Sequence, residues 1–149
     1  MEYDVVIIGA GVAGANIAYL LSQYDLKVAL VEKECDVSFG TSKANSGIIH
    51  AGFHSSNKYL KSRLELQGNG MFDDLQKKLG FPFKRVGILT VAFTEEDLRT
   101  IEDLYLQGVE NKVPDISLCS REKTIELEPK LNPDALGGLY APNGGIIEP

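Results

Sequence analysis

Gly9, Gly11, Gly14 and Glu32 are spaced so that their chemistry belongs together. Gly9 permits a tight turn out of a strand, Gly11 lets backbone N–H groups approach a pyrophosphate, and Gly14 lets a helix pack closely on that strand. A helix beginning near Val12 offers the N–H groups of Val12, Ala13 and Gly14, and a positive dipole end, to phosphates. Glu32 lies eighteen residues past Gly14, where a carboxylate accepts hydrogen bonds from ribose hydroxyls and repels a 2′-phosphate. With Lys33 beside it, this set is a candidate dinucleotide site. The spacing serves NAD and FAD alike, and these residues alone do not separate them.

The elements around this turn agree with it. Residues 3–8 are a short β-branched run ending at Gly9, which predicts a strand buried on both faces. Ile17, Leu20, Leu21 and Tyr24 then recur with a helical period on one apolar stripe, and residues 26–31 predict a second buried strand. Strand, glycine turn, helix and strand make a βαβ unit with parallel strands.

Residues 40–54, GTSKANSGIIHAGFH, are richer in small polar residues than a connection needs. The hydroxyls of Thr41, Ser42 and Ser46 and the amide of Asn45, with Gly47 for close backbone approach, suit a ligand with phosphate oxygens and a polar ring edge. Asx and Ser turns are the structural alternative. His50 and His54 are four apart, a spacing that suits a metal on a helix. Ile48, Ile49 and the run Ala51-Gly52-Phe53 argue against a helix there, and no metal is expected.

Further along, residues 57–79 predict a helix with Leu60, Leu64, Met71, Leu75 and Leu79 on a shared stripe, weakened by Gly68 and Gly70 and stopped by Gly80 and Pro82. Residues 86–93 predict a strand. Thr94 predicts the cap of a helix whose inward face includes Leu98, Ile101 and Tyr105, with Glu95, Glu96 and Asp97 at its positive end. Ser120 caps a short helix before Pro129, and residues 136–141 and 146–147 predict short strands around an Asn143-Gly144-Gly145 turn.

Composition narrows the class. The 149 residues carry 21 acidic and 15 basic side chains, a net charge of −6, which argues against a nucleic-acid groove. Lys58, Lys61 and Arg63 read as one solvated helix face. The longest strongly apolar stretches, 5–8 and 47–49, fall far short of the roughly 20 residues that cross a bilayer. Met1 leads directly into the first strand without room for a signal peptide, so a cytoplasmic protein is expected, free or peripheral to the membrane. Cys35 and Cys119 lack metal or redox spacing and are expected to be reduced and structural.

On the motifs GTSKANSGIIHAGFH, KRVGILTVAFTEEDL, ELEP and APNGGIIEP, in that order, the sequence resembles the D-amino-acid-oxidase-like superfamily of FAD-dependent oxidoreductases. Within it, the likeness is greatest to L-2-hydroxyglutarate dehydrogenases and oxidases and to glycerol-3-phosphate dehydrogenases. The resemblance implies FAD rather than NAD, with Gly9, Gly11, Gly14 and Glu32 at the ADP-binding positions. It also implies that Thr41, Ser42, Asn45, Ser46 and Gly47 form a loop approaching the pyrophosphate and isoalloxazine, and that His50 stands beside the flavin. SGIIHAG is also similar to the histidine region of sarcosine and dimethylglycine dehydrogenases, in which a histidine bonds covalently to the flavin. At His54 these relatives often carry an aromatic residue, and the sequence departs from them.

The expected fold class is α/β: the N-terminal part of a Rossmann-like FAD-binding domain (residues 1–80) followed by the start of an α+β substrate or cap domain (81–149), in a fragment of a longer protein. The resemblance implies oxidation of a hydroxyl-bearing carbon in a small anionic substrate, glycerol 3-phosphate or L-2-hydroxyglutarate, with electrons passing to a separate acceptor. An FAD-dependent amine oxidase and an NAD-dependent dehydrogenase are the alternatives, and the isolated fragment is expected to be inactive.

Overall fold

The computed structural model describes residues 2–148, which form two compact units, residues 2–46 and Gly47–Glu148. In the first unit, β1 (Val5–Ile8) ends at Gly9, whose φ of 94° turns the chain into α1 (Val12–Leu21). β2 (Val28–Val31) runs parallel to β1, from Val5 opposite Val28 to Ile8 opposite Val31. Both ends of the pair are fastened: the Asp4 carboxylate accepts the Lys27 N–H at 2.8 Å, and the Val31 carbonyl accepts the Gly9 N–H at 2.7 Å. The βαβ unit is therefore present, with two differences from expectation. α1 stops at Leu21, so Tyr24 lies past the helix rather than on its stripe. β1 is also covered on one face only. Ile7 is buried toward Gly14 of α1, whereas strand alternation turns Val6 and Ile8 to the other face, where Ile8 is 88% exposed.

The second unit holds the remaining elements: β3 (Ile48–Ile49), α2 (Leu60–Leu79), β4 (Phe83–Arg85), β5 (Ile88–Ala92), α3 (Glu95–Glu110), β6 (Ser117–Ser120), α4 (Arg121–Leu127), β7 (Gly137–Ala141) and β8 (Gly145–Ile147). All its strand pairs are antiparallel, in two three-stranded sheets ordered β3-β8-β4 and β5-β7-β6. β7 and β8 flank the expected turn but belong to different sheets.

Local chemistry explains the ends. α2 stops at Gly80, in the left-handed region at φ 74°, as a helix does when glycine follows it. Gly87, at φ 76°, divides the strand expected over 86–93 from β4. α3 begins with a capping box, in which the Thr94 hydroxyl accepts the Asp97 N–H and the Asp97 carboxylate accepts the Thr94 N–H. Its inward Leu98, Ile101 and Tyr105 join Phe53, Ala92, Val113 and Leu139 in the core. α4 packs on β7 through Thr124, which is fully buried against Gly138. No helix among the described residues is long and apolar enough to cross a membrane.

Candidate functional site

The glycine turn builds a groove in the first unit. A Cβ on Gly14 would lie 1.9 Å from the Gly9 carbonyl oxygen, so α1 reaches β1 only because that side chain is hydrogen. A Cβ on Gly11 would stand 3.0 Å from Ser42 Oγ. Ser42 reaches back across the chain to accept the Val12 N–H at 2.8 Å. The N–H groups of Ala13 and Gly14 precede the first intrahelical bond, from the Ala15 N–H to the Gly11 carbonyl, and so belong to the donors that a helix start turns outward.

Glu32 stands at the end of β2. One carboxylate oxygen accepts the Ala10 N–H at 2.7 Å, while the other accepts the N–H groups of Lys33 at 2.8 Å and Glu34 at 3.1 Å. The Ala10 bond foremost, then the Glu34 bond, hold the carboxyl below its usual range. Glu32 thus joins the β2 end to the glycine turn, and the oxygen that accepts only the Ala10 N–H keeps acceptor capacity.

A cavity of about 430 Å³ opens among these groups, lined by Gly9, Gly11, Glu32, Lys33, Thr41 and Ser42 with Ile8 and Val31. Val12 and Ala13 are exposed on the first turn of α1, and Gly14 is buried behind it. Asn45, whose side-chain amide donates to the Ser42 carbonyl, and Ser46 are exposed beyond the lining. A helix start, a hydroxyl loop and a carboxylate around one glycine-lined space fit the phosphates and ribose of a dinucleotide.

Gly47, buried at φ 67°, opens the second unit, and its carbonyl accepts the Ile147 N–H. Past β3 the main chain of residues 50–55 has no regular partner strand. Side-chain amides satisfy it instead. Asn69 donates to the His50 carbonyl at 2.8 Å, Asn143 to Ala51 at 2.9 Å, Asn111 to Gly52 at 2.8 Å, and Gln107 to Phe53 at 2.7 Å; Asn111 also reaches Ser55 at 2.7 Å. Arg85 locks two of these donors by bonding the Asn69 side chain and carbonyl and the Asn143 carbonyl, and it pairs with Asp73 at 2.7 Å. That guanidinium holds the Asp73 carboxyl below its usual range.

The clamped segment presents His50 and His54. It is non-helical, as its composition predicts, yet the turn at Gly52, φ 97°, brings the two imidazoles to 5.5 Å between centroids at 83°. His54 stacks on the buried Phe53 ring at 4.1 Å, and this partial burial, with His50 nearby, lowers its pKa. Glu65 of α2 completes the group: the coordinating atoms of His50, His54 and Glu65 all lie within 4.8 Å of one another. Asn69, Gln107, Asn111 and Glu65 escape a sequence reading, since none belongs to a spaced motif, and Arg85 and Asn143 lie in KRVGILTVAFTEEDL and APNGGIIEP with no sign there of their part in the clamp. The signal that could have found the amides is a count of unmet carbonyls in a non-helical run of buried residues. Both cysteines are free thiols, Cys35 exposed and Cys119 half-buried.

The family described as DAO, FAD dependent oxidoreductase, matches residues 4–149. The chain belongs to this family. Among DAO-type relatives, it is 50% identical over 147 residues to a glycerol 3-phosphate dehydrogenase of Caloramator mitchellensis, matching 99% of this chain and 31% of the relative. It is 34% identical to the mitochondrial L-2-hydroxyglutarate dehydrogenase of Caenorhabditis elegans, over 99% of this chain and 34% of that one. The solved structure of dithionite-reduced L-alpha-glycerophosphate oxidase from Mycoplasma pneumoniae, with FAD bound, superposes with a TM-score of 0.89 at 38% identity, over 99% of this chain and 39% of that one. The chain thus spans about a third of the length of the relatives it matches. FAD, not NAD, is the dinucleotide of this family, and the groove of the first unit has the donors and acceptor that its ADP half requires.

Proposed function

We propose that the full-length protein oxidises the hydroxyl-bearing carbon of a small anionic substrate, with glycerol 3-phosphate as the leading candidate and L-2-hydroxyglutarate second. The observation that carries this reading is the 50% identity to a glycerol 3-phosphate dehydrogenase across nearly the whole chain, joined to a glycine-lined groove with Glu32 at its edge. Bound FAD would supply the hydride acceptor.

The roles of this chain follow from its own geometry. The Gly9–Gly11 turn and the first turn of α1, from Val12 through Ala13 to Gly14, would take the pyrophosphate on backbone N–H groups. Glu32, with Lys33 beside it, would hold the ribose hydroxyls. Thr41, Ser42, Asn45, Ser46 and Gly47 would line the path toward the flavin, and His50 would stand on the flavin side, held by the Asn69 amide. Residues 1–80 would contribute to the FAD-binding domain and residues 81–149 begin the substrate domain. The enzyme would work in the cytoplasm, free or at the membrane surface, and pass electrons to a separate acceptor.

The test is the absorption spectrum of the purified full-length protein under anaerobic conditions. Flavin bands that bleach on adding glycerol 3-phosphate are expected. Bleaching by L-2-hydroxyglutarate alone would move the assignment to the second substrate, bleaching only by an amine would overturn oxidation at a hydroxyl carbon, and a colourless protein would overturn the reading altogether.

A further inference from the structure

The His50, His54 and Glu65 cluster in the second unit combines two imidazoles and a carboxylate, a donor set that zinc takes with a fourth position left for water or another ligand. We infer that these three side chains form a binding site for a divalent transition cation, zinc in the first instance.

Three observations on different atoms support it. The first is spacing. Bonds of about 2.0–2.1 Å in a tetrahedral site put ligand atoms roughly 3.3 Å apart. The observed separations, all within 4.8 Å, close to that by small rotations of the two solvent-exposed imidazoles. The second is an unmet acceptor. Glu65 Oε1 is buried and has no hydrogen-bond partner. A carboxylate oxygen turned away from water requires a donor or a cation, and the carboxylate that carries it is the one grouped with the two imidazoles.

The third is preorganisation. His50 and His54 sit on main chain whose carbonyls at residues 50, 51, 52, 53 and 55 are all held by side-chain amides. α2 supplies both Glu65 and, one turn later on the same face, Asn69, the residue that fixes His50. One helix therefore sets the position of a ligand and of the backbone opposite it. Rigid support of this kind separates a binding site from a chance grouping of surface side chains.

The site would share His50 with the flavin-side role proposed above, and a cation held there would occupy an imidazole nitrogen lone pair. Occupancy should therefore suppress flavin reduction by substrate without releasing flavin.

The experiment uses untagged full-length holoenzyme, with zinc as probe in equilibrium dialysis and the metal counted by atomic emission. Cobalt substitution provides a second readout, through the visible bands of a low-coordinate site. The wild type should take up one equivalent of zinc. His54→Ala and Glu65→Gln should each weaken uptake by on the order of 100-fold, at least matching what is commonly lost when only a supporting partner of a metal ligand is removed. Their flavin content should stay unchanged. Wild-type protein that takes up no stoichiometric zinc, or both variants binding it as tightly as the wild type, would overturn the site. Absent flavin with zinc still bound would instead count against the proposed function and leave the metal site standing.

Discussion

Replacing Gly14 by alanine adds one methyl group where the structure has no room for it. Its carbon would lie 1.9 Å from the Gly9 carbonyl oxygen and 3.4 Å from Ile7 Cγ2. The closer neighbour is backbone, so no rotamer relieves the contact, and α1 must back away from β1 by about 1.5 Å to restore ordinary van der Waals separation. Overpacking of this kind costs about 1–3 kcal/mol in stability. The same movement takes the N–H groups at the start of α1 off their aim, and hydrogen bonds to a charged group are worth about 1.5–3 kcal/mol each. Losing even one such bond weakens cofactor binding by roughly 10- to 100-fold. The assay is FAD titration of the full-length apoprotein, followed by flavin fluorescence. Gly68→Ala is the control, because nothing lies within 4 Å of a Cβ there and the residue is inside α2; it should stabilise the protein by about 0.5–1 kcal/mol and leave FAD affinity alone. Full FAD affinity in Gly14→Ala, with stability also intact, would refute the argument that this helix start meets the cofactor by its closeness to β1.

Two further outcomes are expected. Asn111→Ala takes the donor from the Gly52 carbonyl, while the Ser55 carbonyl keeps the Ser62 hydroxyl at 2.9 Å; with one buried group left unmet, the loss should be about 1–3 kcal/mol in urea unfolding, and a change under about 0.5 kcal/mol would contradict the clamp. Glu32 has its pKa lowered from an ordinary 4.5, so its stabilising contribution is complete above that value and is lost as pH falls through the lowered one. Glu32→Gln should flatten that acid-side slope in thermal melts taken from pH 6 down to pH 3, on the order of the range over which carboxylates titrate, and an unchanged slope would remove Glu32 from the account.

The first unit was readable because each of its residues does its work locally. Gly9 needs a positive φ, Gly14 needs to lack a Cβ, and Glu32 ends a strand whose partner is close in sequence. α2 shows where that reading fails. Its helical period is real, yet Leu60, Leu64, Met71 and Leu79 on the apolar stripe are at least half exposed, while Ser62 and Asn69 are buried. Periodicity assumes that the apolar face turns inward. Here the inward face is chosen by carbonyls of residues 50–55 that need donors, and their need is not written in α2 itself. β6 was missed for a related reason: Ser-Leu-Cys-Ser has little strand character alone and gains it by pairing with β7. The meeting of His50 with His54 depends on one glycine turn, and their meeting with Glu65 on a helix that begins several residues later.

The amide clamp also sets an order of events during folding. The Ala51 carbonyl waits for Asn143, ninety-two residues away, and the Gly52 carbonyl for Asn111, fifty-nine away. Contacts of such separation form late, because the chain entropy of closing the loop is lost before the bond returns anything. The βαβ unit, whose strand partners lie twenty-three positions apart, can assemble while the histidine-bearing segment is still searching for its donors. A ribosome that pauses before residue 143 would therefore hold a chain with its glycine-turn groove formed and the segment bearing His50 and His54 not yet clamped.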